Sequence, residues 1–345
     1  MNFIRTSVAS IKSVFTVLAA SALILTGCGR SAAPAASDSA SPSASLAPAA
    51  AASVTEPASP APAESLKLKV VASFYPMYEF ARQVGGDHAE VTALIGGGVE
   101  PHEWEPTPKD VAAIQEADLF LYNGIVESWA DKVIQSTASG KRTVVQANSG
   151  ITLMQGVQGV QEEEGEEADP SGLDPHVWLS PLMAQKEVQN IADAYEKVDP
   201  ANKDDYQKNA DAYIAKLKEL DEAYKTGLKD SKRKDFITQH AAFAYLAKDY
   251  GLKQVPIAGL SPEEEPSPEK MAEIVKFAKQ NNVKTIFFET LVDPKIAETI
   301  AKEIGAKTDV LNPIEGLTAE DAQKGLDYIG VMKNNLEALK KALNE

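Results

Sequence analysis

The chain has 345 residues, of which 44% are hydrophobic and 24% charged, and its formal net charge is −16. That length is enough for a large core or two domains, and the excess of acid excludes a nucleic-acid partner, whose phosphates would be repelled. The single cysteine, Cys28, excludes an intrachain disulfide.

Residues 1–27 read as an address rather than as structure. Arg5 and Lys12 give a positive start, and Val14 to Leu25 is an apolar run too short to span a bilayer as a mature helix. The run ends in Leu25-Thr26-Gly27-Cys28, which resembles the lipobox of bacterial lipoproteins, where cleavage before the cysteine is coupled to its lipidation. A diacylglyceryl group on Cys28 carries at least two acyl chains, enough for stable anchoring where one chain is marginal. After Cys28, residues up to 65 are almost wholly Ala, Ser and Pro. Such a segment has too little apolar bulk to offset its chain entropy, so 28–65 is expected to be a disordered tether. It would hold the folded part on the order of 30 to 40 Å from the membrane.

From residue 66 the pattern changes to alternating strand and helix signals. Lys67 to Ser73 has the β-branched and apolar content of a strand, and Pro76 to Val84 takes up helical spacing. Glu90 to Ile95 is a second strand, followed by a glycine-rich loop and a helix opening at Thr107-Pro108, with Thr107 as N-cap and Pro108 at N1. Asp118 to Tyr122 and Arg142 to Gln146 supply two more strands, with a helix predicted over Val126 to Gln135. Residues 155–169 interrupt the alternation with Glu162, Glu163, Glu164, Glu166 and Glu167, a mutually repelling cluster expected on an exposed loop. Pro181 to Val198 is a helix that completes an N-terminal lobe over 66–199.

Residues 200–230 hold the long helix expected to link the two halves. Across Lys203 to Lys229, Tyr206, Ala210, Tyr213, Ile214, Leu217, Leu220, Tyr224 and Leu228 fall mostly at steps of three and four, one apolar stripe on a charged background. Over 231–345 the alternation resumes, with strands predicted at Lys234 to Thr238, Lys253 to Ile257, Thr285 to Glu289 and Thr308 to Leu311. Ser267-Pro268 and Asp293-Pro294 mark helix starts there. The whole reads as α/β, two halves of about four βα units each with a parallel sheet, a repeat of architecture without a repeat of sequence.

Only four histidines occur in the chain. Three sit in similar settings, on loops ahead of predicted helices: His102 in Glu100-Pro101-His102-Glu103-Trp104, His176 in Asp174-Pro175-His176-Val177-Trp178, and His240 in Ile237-Thr238-Gln239-His240. Imidazole is the commonest metal ligand, and three of them with a carboxylate make a tetrahedral zinc shell. The spacing is too wide for a local zinc motif, but ligands in open α/β sheets gather at the carboxyl ends of strands, where these loops are expected. For the carboxylate, Glu315 in Leu311-Asn312-Pro313-Ile314-Glu315 follows the last strand, with Glu100 and Glu103 as rivals. His88, after Gly85-Gly86-Asp87, is a turn residue and is set apart.

These segments resemble the metal-binding solute-binding lipoproteins of bacterial ABC importers, and in particular their zinc-uptake branch. The likeness runs from Leu66 to Glu345. It includes Val71-Ala72-Ser73-Phe74-Tyr75-Pro76, Pro101-His102-Glu103-Trp104-Glu105-Pro106-Thr107 and Leu173-Asp174-Pro175-His176-Val177-Trp178-Leu179-Ser180-Pro181. Further along come His240-Ala241-Ala242-Phe243-Ala244-Tyr245, Gly259-Leu260-Ser261-Pro262-Glu263-Glu264-Glu265-Pro266-Ser267-Pro268 and Leu311-Asn312-Pro313-Ile314-Glu315. The resemblance implies two (β/α)4 lobes joined by a long rigid helix, with the metal site in the interlobe cleft. It carries the ligand role onto His102, His176, His240 and Glu315, and implies a monomeric, lipid-anchored, extracytoplasmic protein that delivers Zn2+ to an ABC permease. Relatives that carry manganese or iron replace the third histidine with a carboxylate, so His240 favours zinc. The chain departs from many zinc-uptake relatives at Glu162 to Glu167, where they carry a histidine-rich loop. A zinc-dependent hydrolase, with three histidines, a bound water and Glu315 as general base, is the reading from another class.

Overall fold

The computed structural model describes residues 67–138, 141–156 and 172–345. The expected signal, Cys28 and its tether lie outside the described residues, as do the five clustered glutamates of the acidic loop.

Eight short apolar runs form two sheets of four strands. The first contains β1 (Leu68–Ala72), β2 (Ala89–Ala93), β3 (Leu119–Tyr122) and β4 (Thr143–Gln146), all parallel, in the order β2-β1-β3-β4. The second contains β5 (Asp235–Thr238), β6 (Lys253–Pro256), β7 (Thr285–Phe288) and β8 (Lys307–Val310), again all parallel, in the order β6-β5-β7-β8. The two orders are the same, which is the repeat of architecture expected from the sequence. Parallel neighbours need crossovers. These are α1 (Tyr75–Gly85), α2 (Pro108–Glu116) and α3 (Ala130–Ser136) in the first lobe, and α6 (Ala244–Asp249), α7 (Pro268–Gln280) and α8 (Lys295–Ile304) in the second. In each sheet the winding reverses next to the first strand, so the crevices open beyond the carboxyl ends of β1 and β3, and of β5 and β7.

Helix α4 (Pro181–Val198) leads into α5 (Lys203–Leu228), a helix of 26 residues that links the lobes. At 1.5 Å per residue α5 is about 39 Å long. The apolar stripe expected along it is buried at Tyr206, Ala210, Tyr213, Leu217, Leu220, Tyr224 and Leu228. After β8 come α9 (Ala319–Gln323) and α10 (Tyr328–Ala342). Helix α10 packs along α5, where the Tyr224 hydroxyl donates to the Met332 carbonyl at 2.7 Å. Its first residue, Tyr328, meets Phe80 of α1 edge to face at 5.0 Å. The last helix thus returns to the first lobe, and one continuous core runs from Phe80 through Tyr213 and Tyr328 to Phe236 and Leu311. Each buried ring of this kind contributes about 1.5–3 kcal/mol relative to its exposed state.

Two boundaries differ from the expected ones by more than a single residue. Strand β2 ends at Ala93, yet Leu94 and Ile95 continue its bonds, donating to Ala72 and Ser73 at 2.8 and 2.9 Å. Helix α3 begins at Ala130 instead of Val126 because the Glu127 carboxylate takes the N–H groups of Asn123 and Gly124 at 2.9 and 3.1 Å. A side chain that satisfies nearby amides offers the backbone a turn in place of a helix. Among the described residues no helix is long and apolar enough to cross a membrane.

Candidate metal centre

His102 lies on the loop between β2 and α2, a chain of turns set by Val99 N–H to the Gly96 carbonyl and Trp104 N–H to the Pro101 carbonyl, both at 3.3 Å. His176 caps a short 3-10 turn, Val177–Leu179, just before α4. His240 follows β5 by two residues, its carbonyl held by the Thr238 hydroxyl and the Gln254 amide at 2.8 Å each. Glu315 follows β8 at the end of the Leu311-Asn312-Pro313-Ile314 segment. The Trp178 indole N–H donates to the Pro313 carbonyl at 2.8 Å, tying the His176 turn to the Glu315 segment.

The four side chains converge. Glu315 Oε1 lies 3.1, 3.4 and 3.5 Å from Nε2 of His102, His176 and His240. The His176 Nε2 is 3.4 Å from that of His102 and 3.3 Å from that of His240. All four donor atoms fall within 4.8 Å of one another. A tetrahedral shell with bonds of about 2.0–2.1 Å has edges of about 3.3–3.4 Å, and the five distances above lie close to that spacing. His176, His240 and Glu315 are buried, and only His102 keeps partial exposure, which places the opening of the site on its side. The second carboxylate oxygen, Glu315 Oε2, is buried with no hydrogen-bond partner among the described residues, a lone-pair set turned toward no protein donor.

Residues 70–342 match the family described as zinc-uptake complex component A, periplasmic, or ZnuA. The chain belongs to the ZnuA family. It is 53% identical over 284 residues to the high-affinity zinc uptake system protein ZnuA of Bacillus subtilis, covering 80% of this chain and 88% of that one. It is 49% identical over 284 residues to the zinc-binding lipoprotein AdcA of Streptococcus pneumoniae, covering 81% of this chain but 56% of the longer AdcA. The crystal structure of the Zn(II)-bound ZnuA-like domain of that AdcA superposes with a TM-score of 0.70 at 46% identity, over 81% of this chain and 100% of the domain. The two-lobed α/β fold is therefore that of ZnuA-like solute-binding proteins, and the family is one of transport components.

Around the cluster, two carboxylates fix two of the imidazoles. Asp174 Oδ1 accepts both the backbone N–H of His176 at 2.9 Å and its Nδ1–H at 2.8 Å. Glu289 Oε1 does the same for His240, at 3.0 and 2.6 Å. A carboxylate on Nδ1 sets the tautomer that leaves the Nε2 lone pair free, and raises its basicity. Burial pulls both imidazoles down, but for His176 the Asp174 and Glu315 bonds outweigh it, and for His240 the charges of Glu289 and Glu315 hold it well above the ordinary value. His102 has no such partner and burial leaves its imidazole below the ordinary value. Burial pushes Glu315 up, but the charge on His240 and bonds from all three imidazoles hold it well below the ordinary carboxylate range, so it is ionised.

The rivals for the fourth position separate on burial. Glu103 is exposed. Glu100 accepts the His102 N–H at 2.9 Å and is pushed up to about 9 by burial and then by the charge of Glu315. Raised in this way, it is a poorer ligand than the ionised Glu315 beside it. His88 sits apart in a 3-10 turn, 2.9 Å from Asp205. Asp174 and Glu289 were not singled out from the sequence. Asp174 had a usable signal, its place two residues before His176, where an aspartate oxygen can reach back to the following N–H. Glu289 had none, since it meets His240 across 49 residues of chain.

Proposed function

We propose that this protein captures Zn2+ outside the cytoplasm on His102, His176, His240 and Glu315 and delivers it to the permease of an ABC importer. The observation that carries this reading is the convergence of three imidazole nitrogens and one ionised carboxylate on a single buried point. A nitrogen-rich, four-donor set suits zinc, whereas manganese and iron(II) favour more oxygen and higher coordination. The names of the relatives from B. subtilis and S. pneumoniae, a zinc-uptake and a zinc-binding protein, support the same cargo. On this reading Glu315 closes the shell and leaves no position for a metal-bound water, so the chain carries its metal and catalyses nothing with it. Residues 66–199 and 231–345 act as the two lobes and 200–230 as their link. Cys28, once lipidated, anchors a monomer to the outer face of the cytoplasmic membrane.

Native mass spectrometry of metal-free, full-length protein offered zinc, manganese and copper in competition tests the cargo. The expected result is one zinc per chain, retained against manganese, and lost from His240→Ala. Copper displaces zinc in such a test by the Irving–Williams order without being the cell's cargo. Manganese outcompeting zinc, or His240→Ala holding zinc as tightly as the parent, overturns the assignment. For the anchor, Cys28→Ser moves the protein from the membrane fraction to the soluble one; a variant that stays with the membrane places the anchor elsewhere.

A further inference from the structure

Glu315 reaches the centre from a segment with a costly backbone. Ile314, the residue before it, has φ of 60°. That left-handed conformation is costly for a β-branched residue and persists only where the surroundings impose it. The imposing contacts come from α10. Asn335, 2% exposed, accepts the Asn312 N–H through Oδ1 at 2.9 Å and donates through Nδ2 to the Asn312 carbonyl at 2.7 Å. Asn312 in turn uses its own Oδ1 to accept the Ile314 N–H at 2.7 Å. A chain of three hydrogen bonds therefore runs from the body of a helix to the residue that aims Glu315.

Ile314 is buried in the core, but close packing does not surround the whole segment. Beside the segment lies a cavity of about 210 Å³, with Asn312, Asn335, Thr290 and Leu326 in its wall. The Thr290 hydroxyl there is buried without a hydrogen-bond partner among the described residues. Apolar burial holds the Ile314 side chain without fixing its backbone angle, and the Asn335 amide supplies two directional bonds to the backbone just before it, on the side where the space is open.

We propose that Asn335 is a positioning residue for metal binding: it brackets the Asn312 backbone, keeps Ile314 left-handed and so presents the Glu315 carboxylate to the three imidazoles. This rests on Glu315 being a ligand, as proposed above. Ile314→Gly tests the strained link from the other side, because glycine adopts the left-handed turn freely and also leaves it freely.

The test compares full-length Asn335→Leu, Asn335→Asp and Ile314→Gly with Glu315→Ala and the parent. Three measurements are made: zinc affinity by competition with a chromophoric chelator, melting of the metal-free form, and visible absorption of the Co2+-loaded protein, whose intensity reports four-coordinate geometry. Asn335→Leu is expected to lose about 10- to 100-fold in zinc affinity, the usual effect of removing an outer partner, with a Co2+ spectrum shifted toward that of Glu315→Ala. Asn335→Asp keeps the acceptor and loses the donor, so its loss is smaller. Ile314→Gly loses affinity and, because it also removes a fully buried side chain, melts lower when metal-free, so its affinity and Co2+ spectrum are read well below that melting temperature. If Asn335→Leu fails to fold, the other two variants decide. Variants that melt lower but keep parental affinity and Co2+ spectrum, while Glu315→Ala loses both, overturn the positioning role alone. A Glu315→Ala protein with parental affinity and spectrum overturns the ligand assignment and this inference with it.

Discussion

At His176 and His240 a single carboxylate oxygen holds both the backbone and the ring of one histidine, so the imidazole can neither turn nor change tautomer without breaking two bonds. Asp174→Asn and Glu289→Gln are therefore expected to weaken zinc binding by about 10- to 100-fold while the fold stays intact, measured by chelator competition and melting. Glu289→Gln should also bring the His240 pKa down toward the ordinary value, visible in an NMR titration of the metal-free protein, since Glu289 is the largest influence raising it. Glu100→Gln gives the opposite control. Burial raises Glu100 and favours its protonated form, which the amide mimics, so the substitution should leave zinc affinity unchanged. At this scale the convergence of the three histidines was legible because histidine is rare here and three copies share one local setting. Their supporting carboxylates were legible only where the partner is a chain neighbour, as with Asp174.

Helix starts carry their signals locally, and those signals were accurate. Thr107, Ser180 and Ser267 each cap a helix through a side-chain oxygen that accepts the N–H three residues on, with proline at the first helical position. Asp293 does similar work in modified form, its Oδ1 accepting the Lys295 N–H at 3.0 Å while Pro294 is the formal cap. The start of α3 was not legible, because the Glu127 carboxylate that takes the Asn123 and Gly124 N–H groups is itself fixed by Ser73 beyond the end of β1, a distant partner in the chain. That same environment reaches α4. Glu187 there is fully buried, accepts from the Asn123 amide at 3.3 Å, and is pushed up to about 8 by burial and then by the charge of Glu127. Its pKa in the unfolded chain is about 4.3. A group raised on folding contributes stability that is fully present below the unfolded value and lost as pH rises through the folded one. Glu187→Gln removes the titration and keeps the acceptor for Asn123. The variant should melt above the parent at pH 8.5 and show a smaller loss of stability between pH 5 and 8.5 in urea unfolding; identical profiles would mean that Glu187 is already solvated or ionised.

Across the whole molecule, βα alternation made the two-lobed plan legible, and the stripe on α5 marked the link. The return of α10 to α1 was not legible, because an apolar face shows that a helix packs without naming its partner. The consequence is that lobes joined by both α5 and α10 share one core and hold the four donor atoms close together, and in that arrangement protons and zinc compete for the same lone pairs. In the metal-free protein the raised His176 and His240 contribute stability that is complete below about 6.5, the unfolded histidine value, and lost as pH rises through their folded values. The depressed Glu315 contributes stability above the unfolded carboxylate value, lost as pH falls through its folded one. Zinc adds stability according to its affinity, and that affinity falls as the imidazoles take up protons. Because His240 is held well above its ordinary value, the competition begins above pH 6.5 and not at it. At fixed zinc concentration the rise in melting temperature on adding metal should be largest near pH 8 and shrink steadily toward pH 5. His102 is held low and gives up its proton first as pH rises, so His102→Ala should lower the zinc-induced rise at every pH while leaving its steepest part in place. Glu289→Gln, which brings His240 down and keeps it as a ligand, should move that steepest part to lower pH, and a profile unmoved by either substitution would place the bound metal outside this cluster.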